Sequence, residues 1–286
     1  MFTHNQFLEG QSVDLKDVLI QTTPVVTPFT TFLLSKTTRA TAPQVSWITE
    51  EINLDSAVTQ SEGGDAPAYV DDSSAINDNY LEIFGATATV SNTAQASDAT
   101  GINDLLAKQV ANKTKAIKNR IEDKMINGAK GFSNGTYTTN GILEQIHPDH
   151  KVTGSTFDKK AFEETLSALY HAGVNDSMTV FLPASMKIMV NEFEDVVYMA
   201  RDNALGFDSE LFASVYGQVR FVLSEKVGAN KLFVVNGDYL EMPTLIPFTG
   251  TPQPVSGSKR SVYLETQVGL KLLNPKAAAS FEITEQ

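Results

Sequence analysis

The chain has 286 residues, 42% of them hydrophobic and 20% charged, enough for one large or two modest folded units and too apolar for disorder along its whole length. Its formal net charge of -12 argues against a surface built to grip nucleic-acid phosphates, which needs clustered Lys and Arg. The absence of cysteine excludes disulfides, thiolate metal sites and cysteine nucleophiles, so stability has to come from packing and association.

The first residues, Met1–Gly10, are polar and lack the basic start and apolar core of a signal peptide. No apolar stretch approaches the about 20 residues of a membrane span, so use in a cytoplasm is expected. Asp14–Ile20 reads as a short helical turn. Thr23-Pro24-Val25-Val26-Thr27-Pro28-Phe29 is too rich in proline for a helix or a central strand and reads as an extended arm. Phe29, Phe32, Leu33 and Leu34 give that arm an apolar patch in need of a cover.

Val45–Thr49 and Leu81–Ser91 are β-rich and read as the two arms of one long hairpin. Its connection, Asn53–Asn79, holds Gly63-Gly64, Pro67, Asp71-Asp72-Ser73-Ser74 and Asn77-Asp78-Asn79 and far exceeds the about two to five residues usual in hairpins. Between Ala40 and Ala107 there is no lysine or arginine, while acids run from Glu50 to Glu82.

At Gly101 the period turns helical: Ile102, Leu106, Val110, Ile117, Ile121 and Met125 recur at helical spacings, with Asp98 or Thr100 as cap and Gly128 and Gly131 as stops. The predicted rod is about 40 Å long. It carries Lys108, Lys113, Lys115, Lys118, Arg120 and Lys124 against Asp104, Glu122 and Asp123. Charge on a helix commonly does no more than solvate one face. Here the neighbouring loop has the opposite excess and neither segment is balanced internally, so the two are expected to meet between copies of the chain. Glu62, Asp65, Asp71, Asp72 and Asp78 of one copy would face the six helix cations of another.

Gly131–Gly141 reads as a turn into a strand at Ile142–Ile146. Asp158 caps a helix running to Ala172, with Phe157 and Phe162 spaced as a hydrophobic staple and Gly173 as its stop. Met178–Leu182 reads as a buried strand, Pro183 as the first turn of a helix through Phe193, and Val219–Leu223, Leu232–Asn236 and Tyr239–Met242 as strands. Asp195–Leu211 reads as a loop or short irregular helix. Beyond the Pro/Gly/Ser stretch Pro252–Gly257, Val262–Leu273 and Ser280–Thr284 read as a closing antiparallel hairpin around Asn274-Pro275.

Signals for chemistry are missing: there is no glycine-rich phosphate cradle, zinc-protease helix or Gly-x-Ser-x-Gly elbow. His147-Pro148-Asp149-His150 reads as a solvated turn, and His4 and His171 have no partner pattern. Asp71-Asp72 and Asn77-Asp78-Asn79 lack the spacing and terminal glutamate of an EF-hand. No catalytic residue, metal or cofactor is expected.

The succession of arm with Thr27-Pro28-Phe29, long loop flanked by Val45–Ile52 and Glu82–Asp98, helix from Gly101, α/β half and return strands resembles the major capsid (major head) proteins of tailed phages. In particular it resembles the SU-ten-like family, with its Hong Kong 97-type capsid fold, over nearly the whole chain. The order of elements carries the resemblance more than any one motif. It implies an α+β subunit with an N-terminal arm at 1–40, an extended β-hairpin loop (E-loop) at 41–92, a peripheral domain with the spine helix at 93–150 plus 255–286, and an axial domain at 151–254.

It also implies self-assembly into the pentamers and hexamers of an icosahedral head, with each extended loop lying across a neighbour near its spine helix. Such a head encloses double-stranded DNA without sequence-specific binding, involves no membrane, and belongs to the virion after assembly in the host cytoplasm. Portal, scaffold and decoration proteins are the implied partners. The archetype of the fold cross-links a loop lysine to a neighbour's asparagine, but this loop has no lysine, so a non-covalent shell is expected. The archetype also carries a long N-terminal scaffolding segment, whereas this sequence passes almost directly from Met1 to the arm, which points to a separate scaffold or a matured form. An encapsulin shell enclosing an enzyme cargo is the runner-up. A small-molecule enzyme using the α/β half from Phe157 to Tyr239 is the alternative from another class.

Overall fold

The computed structural model describes residues 26–96, 104–193, 198–204, 207–255 and 257–284, so the expected turn at Asp14–Ile20 and the caps Asp98 and Thr100 lie outside the described residues. Thr27-Pro28-Phe29 does not run extended: Pro28 opens helix α1 (Pro28–Leu34). A proline at the first helical position has no amide to satisfy, and its fixed φ suits the turn. Phe29 and Leu33 are fully buried, so the chain itself covers most of the arm's apolar patch and leaves Leu34 on the surface.

After β1 (Thr37–Arg39), β2 (Gln44–Glu51) forms an antiparallel hairpin with β3 (Ser73–Tyr80). The expected pairing of Val45–Thr49 with Leu81–Ser91 is therefore corrected. Asn77-Asp78-Asn79 is strand, the loop is 52–72, and β4 (Glu82–Ser91) pairs with a strand at Lys259–Val268 instead. Ser, Asn and Asp have weak strand preference, and it is overridden here by a full ladder and by the burial of Asn79.

Beyond α2 (Asn92–Ala96) runs α3 (Leu105–Asn127), capped by Asp104, whose carboxylate accepts from the amides of Leu106 and Ala107. Ile117, Ile121 and Met125 bury as their spacing requires. At about 1.5 Å per residue the helix is about 35 Å long. Gly128 ends it, and the Gly141 amide donates to the Gly128 carbonyl at 2.8 Å. Between these glycines, β5 (Gly131–Ser133) and β6 (Thr136–Thr138) turn through Asn134 and Gly135 at φ 49° and 77°, the Asn-Gly chemistry of a two-residue hairpin.

Ile142–Gln145 is a short helix, α4, and not the expected strand. A Cβ on Gly141 would lie 2.5 Å from the Ile126 carbonyl oxygen and 2.7 Å from the Gly128 nitrogen, both backbone atoms that cannot swing aside. Gly141→Ala is expected to destabilise the fold by about 1–3 kcal/mol. Urea unfolding should show this as a lower midpoint at unchanged m-value.

β7 (Lys151–Gly154) leads to α5 (Lys159–His171), whose local signals hold as read. Asp158 accepts from the Ala161 amide, and Phe157 meets Phe162 at 6.2 Å. Gly173 at φ 69° closes a Schellman motif, in which Val174 donates to Leu169 and Gly173 to Tyr170. There follow β8 (Met178–Leu182), α6 (Ala184–Asn191), β9 (Tyr198–Ala204), β10 (Phe207–Ser214), β11 (Gly217–Leu223), β12 (Lys231–Asn236), β13 (Leu240–Pro252), β14 (Lys259–Val268), β15 (Lys271–Leu272) and β16 (Ala278–Ile283). The stretch read as a loop or short irregular helix, Asp195–Leu211, holds β9 and the first five residues of β10, an antiparallel pair.

The expected closing hairpin does not form, because its two halves enter different sheets. β14 lies between β13 and β4 in a five-stranded sheet of order β1-β13-β14-β4, with β15 on β13. β16 lies between β12 and β7 in a seven-stranded sheet of order β7-β16-β12-β8-β11-β10-β9. Helix α3 packs on β4 and β14, and α5 on β16 and β7. Phe29 meets Phe181 and Phe233 edge-on at 5.1 and 5.4 Å, so α1 belongs to the core of the seven-stranded sheet while β1, directly after it, pairs in the other. The arm thus ties the two sheets together.

Candidate assembly interface

Strand alternation gives the β2/β3 hairpin two faces. Trp47 and Glu51 turn toward the body of the chain: the Lys271 ammonium lies 5.5 Å from the Trp47 ring centre, and Lys276 donates to Glu51 at 2.6 Å. The hydrogen bond and charge of Lys276 hold the Glu51 carboxyl below its usual value. Ile48 and Ile76, directly opposite each other, lie on the other face and are 71% and 75% exposed.

A buried amide fixes the hairpin's base. The Asn79 nitrogen donates to Leu270 O at 2.6 Å, Asn140 O at 3.1 Å and Thr139 Oγ1 at 3.2 Å, and its oxygen accepts from the amides of Tyr80 and Asn140. Gln145 supports the same corner, accepting from the Leu272 amide and donating to Asn140 O. Glu82, also buried, accepts from Thr139 N.

The acids expected at a contact between copies fall into two groups. Glu62, Asp65 and Asp71 are exposed on the 52–72 loop, as is Asp72, which accepts from the Asn53 amide at 2.7 Å. Asp78, in contrast, is engaged within its own chain, accepting from Lys130 at 2.5 Å and from Gln44 at 2.7 Å. The Lys130 hydrogen bond lowers its pKa.

The helix cations do not share one face. At about 100° per residue, Lys113, Arg120 and Lys124 fall within about 40° of one another, Lys108 and Lys115 within about 20°, and Lys118 apart from both sets. Arg120 pairs with Asp123 one turn on, at 3.2 Å.

Glu122, counted from sequence with the charges that offset those cations, is fully buried. Its carboxylate accepts from the Phe29 amide at 3.0 Å, the Thr30 amide at 2.6 Å, the Thr30 hydroxyl at 2.7 Å and the Ser224 hydroxyl at 3.4 Å. Burial pushes its pKa up, and the Thr30 and Phe29 donors pull it partly back. The available signal was its spacing, three and four residues before the buried Met125 and Ile126.

His147-Pro148-Asp149-His150 is the expected turn, with Pro148 and Asp149 exposed and His147 partly so, but its last residue is not solvated. It is a 3-10 turn in which His150 is buried, its Nδ1 3.2 Å from Ala278 O, and burial lowers its pKa. Among the described residues no group of three His, Asp or Glu side chains gathers to hold a metal, and no helix is long and apolar enough to cross a membrane. What the chain does present is a projecting, acidic hairpin and a cation-bearing helix.

A family model described as SU10 major capsid protein matches residues 2–285. No curated protein matches the sequence. The capsid of cyanophage A-1(L) superposes with a TM-score of 0.70 over 100% of both chains at 11% identity. The capsid of Myoviridae phage XM1 does so with 0.66 over 96% of this chain and 98% of that one, at 14% identity. The SrpI encapsulin of Synechococcus elongatus PCC 7942 gives 0.64 over 93% and 92%, at 14% identity. These structures share this chain's fold, and the encapsulin shares it nearly as completely as the phage capsids.

Proposed function

The chain belongs to the SU10 major capsid protein family, with the Hong Kong 97-like capsid fold, and from that premise we propose that its hairpin builds the head by clasping the next copy. As a tailed-phage major capsid protein it is a structural component of the virion shell and assembles with itself. The observation that carries the clasp is the exposed 52–72 loop, with acids and without a single lysine or arginine, in a chain whose helix α3 carries six cations between Lys108 and Lys124.

Glu62, Asp65, Asp71 and Asp72 of one copy approach Lys108, Lys113, Lys115, Lys118 or Lys124 of the next, while Asp78 and Arg120 exchange their present partners or stay out of the contact. The contact is heterologous, so rings of five and six close without a dyad, giving pentamers and hexamers. With no lysine in the loop the shell is non-covalent. The division into arm at 1–40, extended loop at 41–92, peripheral domain at 93–150 plus 255–286 and axial domain at 151–254 belongs to the same proposal. So do portal, scaffold and decoration partners and assembly in the host cytoplasm. A net charge of -12 suits a wall from which enclosed DNA can move freely, since a basic one would bind it through counterion release.

The fold likeness to an encapsulin supports a second reading, a compartment around an enzyme cargo. A neighbouring portal or terminase gene favours the phage head, and a neighbouring cargo-enzyme gene favours the compartment.

Lys115→Glu combined with Lys118→Glu is expected to lower particle yield in sedimentation. Adding Asp71→Lys and Asp72→Lys to the same chain should restore part of it. Each exposed pair contributes only about 0.2–1 kcal/mol, but the contact recurs at every junction of a ring. Assembly left unchanged by the double reversal would sink the pairing.

A further inference from the structure

We propose that the hairpin's anchor is apolar, and that Ile48 and Ile76 of one copy seat in a groove between α1 and α3 of the next, with Glu50 beside Lys118. The proposal rests on the shell reading above and names the contact surfaces within it.

The groove is lined by Leu34 of α1, Ile117 and Ile121 of α3, and Met242, Phe248 and Val268 of β13 and β14, and encloses about 410 Å³. Lys118 is the only charged side chain among the described residues that line it. Leu34 and Phe248 are 52% and 48% exposed, so the groove is open and apolar at its mouth. Cavities of about 150 Å³ already take a benzene ring, so there is room here for two branched aliphatic side chains.

The matching knob is the Ile48/Ile76 pair. Two isoleucines facing each other across a hairpin and left open to water form the kind of exposed apolar patch that marks a binding surface. Both side chains are stiff at χ1 and sit on a paired ladder, so little ordering is lost when they dock.

The chain's own hairpin does not fill the groove, because Lys276 on Glu51 and Lys271 on Trp47 draw its other face to the body and turn Ile48 and Ile76 outward. A second copy is the occupant that fits. Glu50 stands two residues from Ile48, on the same face and opposite Ser74, in a segment without lysine or arginine. The lone cation of the groove thus meets an acid carried beside the knob. The basic flanks of α3 then steer the approach, and the groove holds it.

The natural chain has no cysteine, so introduced ones report unambiguously. Ile48→Cys with Phe248→Cys, both at exposed positions, is expected to give on mild oxidation a ladder of disulfide-linked oligomers on non-reducing gels. Ile48→Cys with Ile188→Cys, exposed on helix α6, which does not line the groove, should give none. Particles that form normally without a ladder, or a cross-link confined to single chains, would overturn the groove and leave the shell reading standing. Absence of particles from the unmodified chain would overturn both.

Should the cysteine pair itself block assembly, Ile76→Asp decides. It is expected to leave the thermal midpoint of the free subunit unchanged and to cut particle yield at least tenfold, and an unchanged yield would refute the proposal. Loss of assembly in Phe248→Asp without loss in Ile76→Asp would show that another segment fills the groove, which would also refute it.

Discussion

Replacing Glu122 by alanine is expected to destabilise the fold by about 3–5 kcal/mol, since each buried donor left unpaired costs about 1–3 kcal/mol. The donors are the amides of Phe29 and Thr30, the second and third residues of α1, with the Thr30 hydroxyl and, at 3.4 Å, the Ser224 hydroxyl, all directed at one carboxylate in the C-terminal third of α3. No α-helix satisfies the amides of its own first turn, and the N-cap Thr27 makes no side-chain cap bond, so α1 depends on this cap supplied from outside. Its loss would loosen Phe29 from Phe181 and Phe233, and with it the tie between the two sheets. Urea unfolding measures the effect, and a midpoint equivalent to less than about 1 kcal/mol of loss would show that the cap is dispensable.

The same carboxyl gives a pH signature. Its folded pKa lies above the ordinary value of 4.5 because of burial. A carboxyl raised in this way contributes stability that is fully present below the unfolded pKa and is lost as pH rises through the folded one. The stability gap between the natural protein and Glu122→Gln should therefore be widest at low pH and narrow as pH rises above about 4.5.

The second large effect belongs to Asn79. Alanine there removes both ends of a network that joins β3 to Leu270, Thr139 and Asn140, and is expected to cost about 2–4 kcal/mol. Asn79→Asp should be no milder although it keeps the shape, because a carboxylate oxygen would face the carbonyls of Leu270 and Asn140 where a donor is required. In both variants the 52–72 loop and hairpin should be cut faster by protease than in the natural chain. Full stability of the aspartate variant would contradict the assigned direction of these hydrogen bonds.

Elements whose causes are local could be read from sequence. Helix α5 carries its cap, staple and glycine stop within its own residues, and β8 is a short apolar run buried on both faces. Elements whose causes are distant could not. The run Ser73–Tyr80 has little intrinsic strand preference and pairs because Asn79 is anchored by residues 60 to 191 positions away. Val262–Leu273 and Ser280–Thr284 are near neighbours in sequence, and only the packing of the whole chain sends them to different sheets. At α1 the difficulty was a boundary: proline breaks a helix from within and suits its first position, and sequence did not show which applied to Pro28.

The candidate interface divides in the same way. The loop's missing lysines and the helix's cations are properties of composition and were visible at once. That Asp78 is taken up by Lys130 and that Glu122 works inside the core depends on tertiary contacts no charge count reveals. The apolar knob escaped notice because Ile48 and Ile76 lie 28 residues apart in the numbering and become one surface only through the β2/β3 register.

The most direct test of the whole account is electron microscopy of the purified protein. Closed shells, or rings of five and six subunits, are the predicted result. Single subunits that stay dispersed as concentration rises and salt is varied would contradict it.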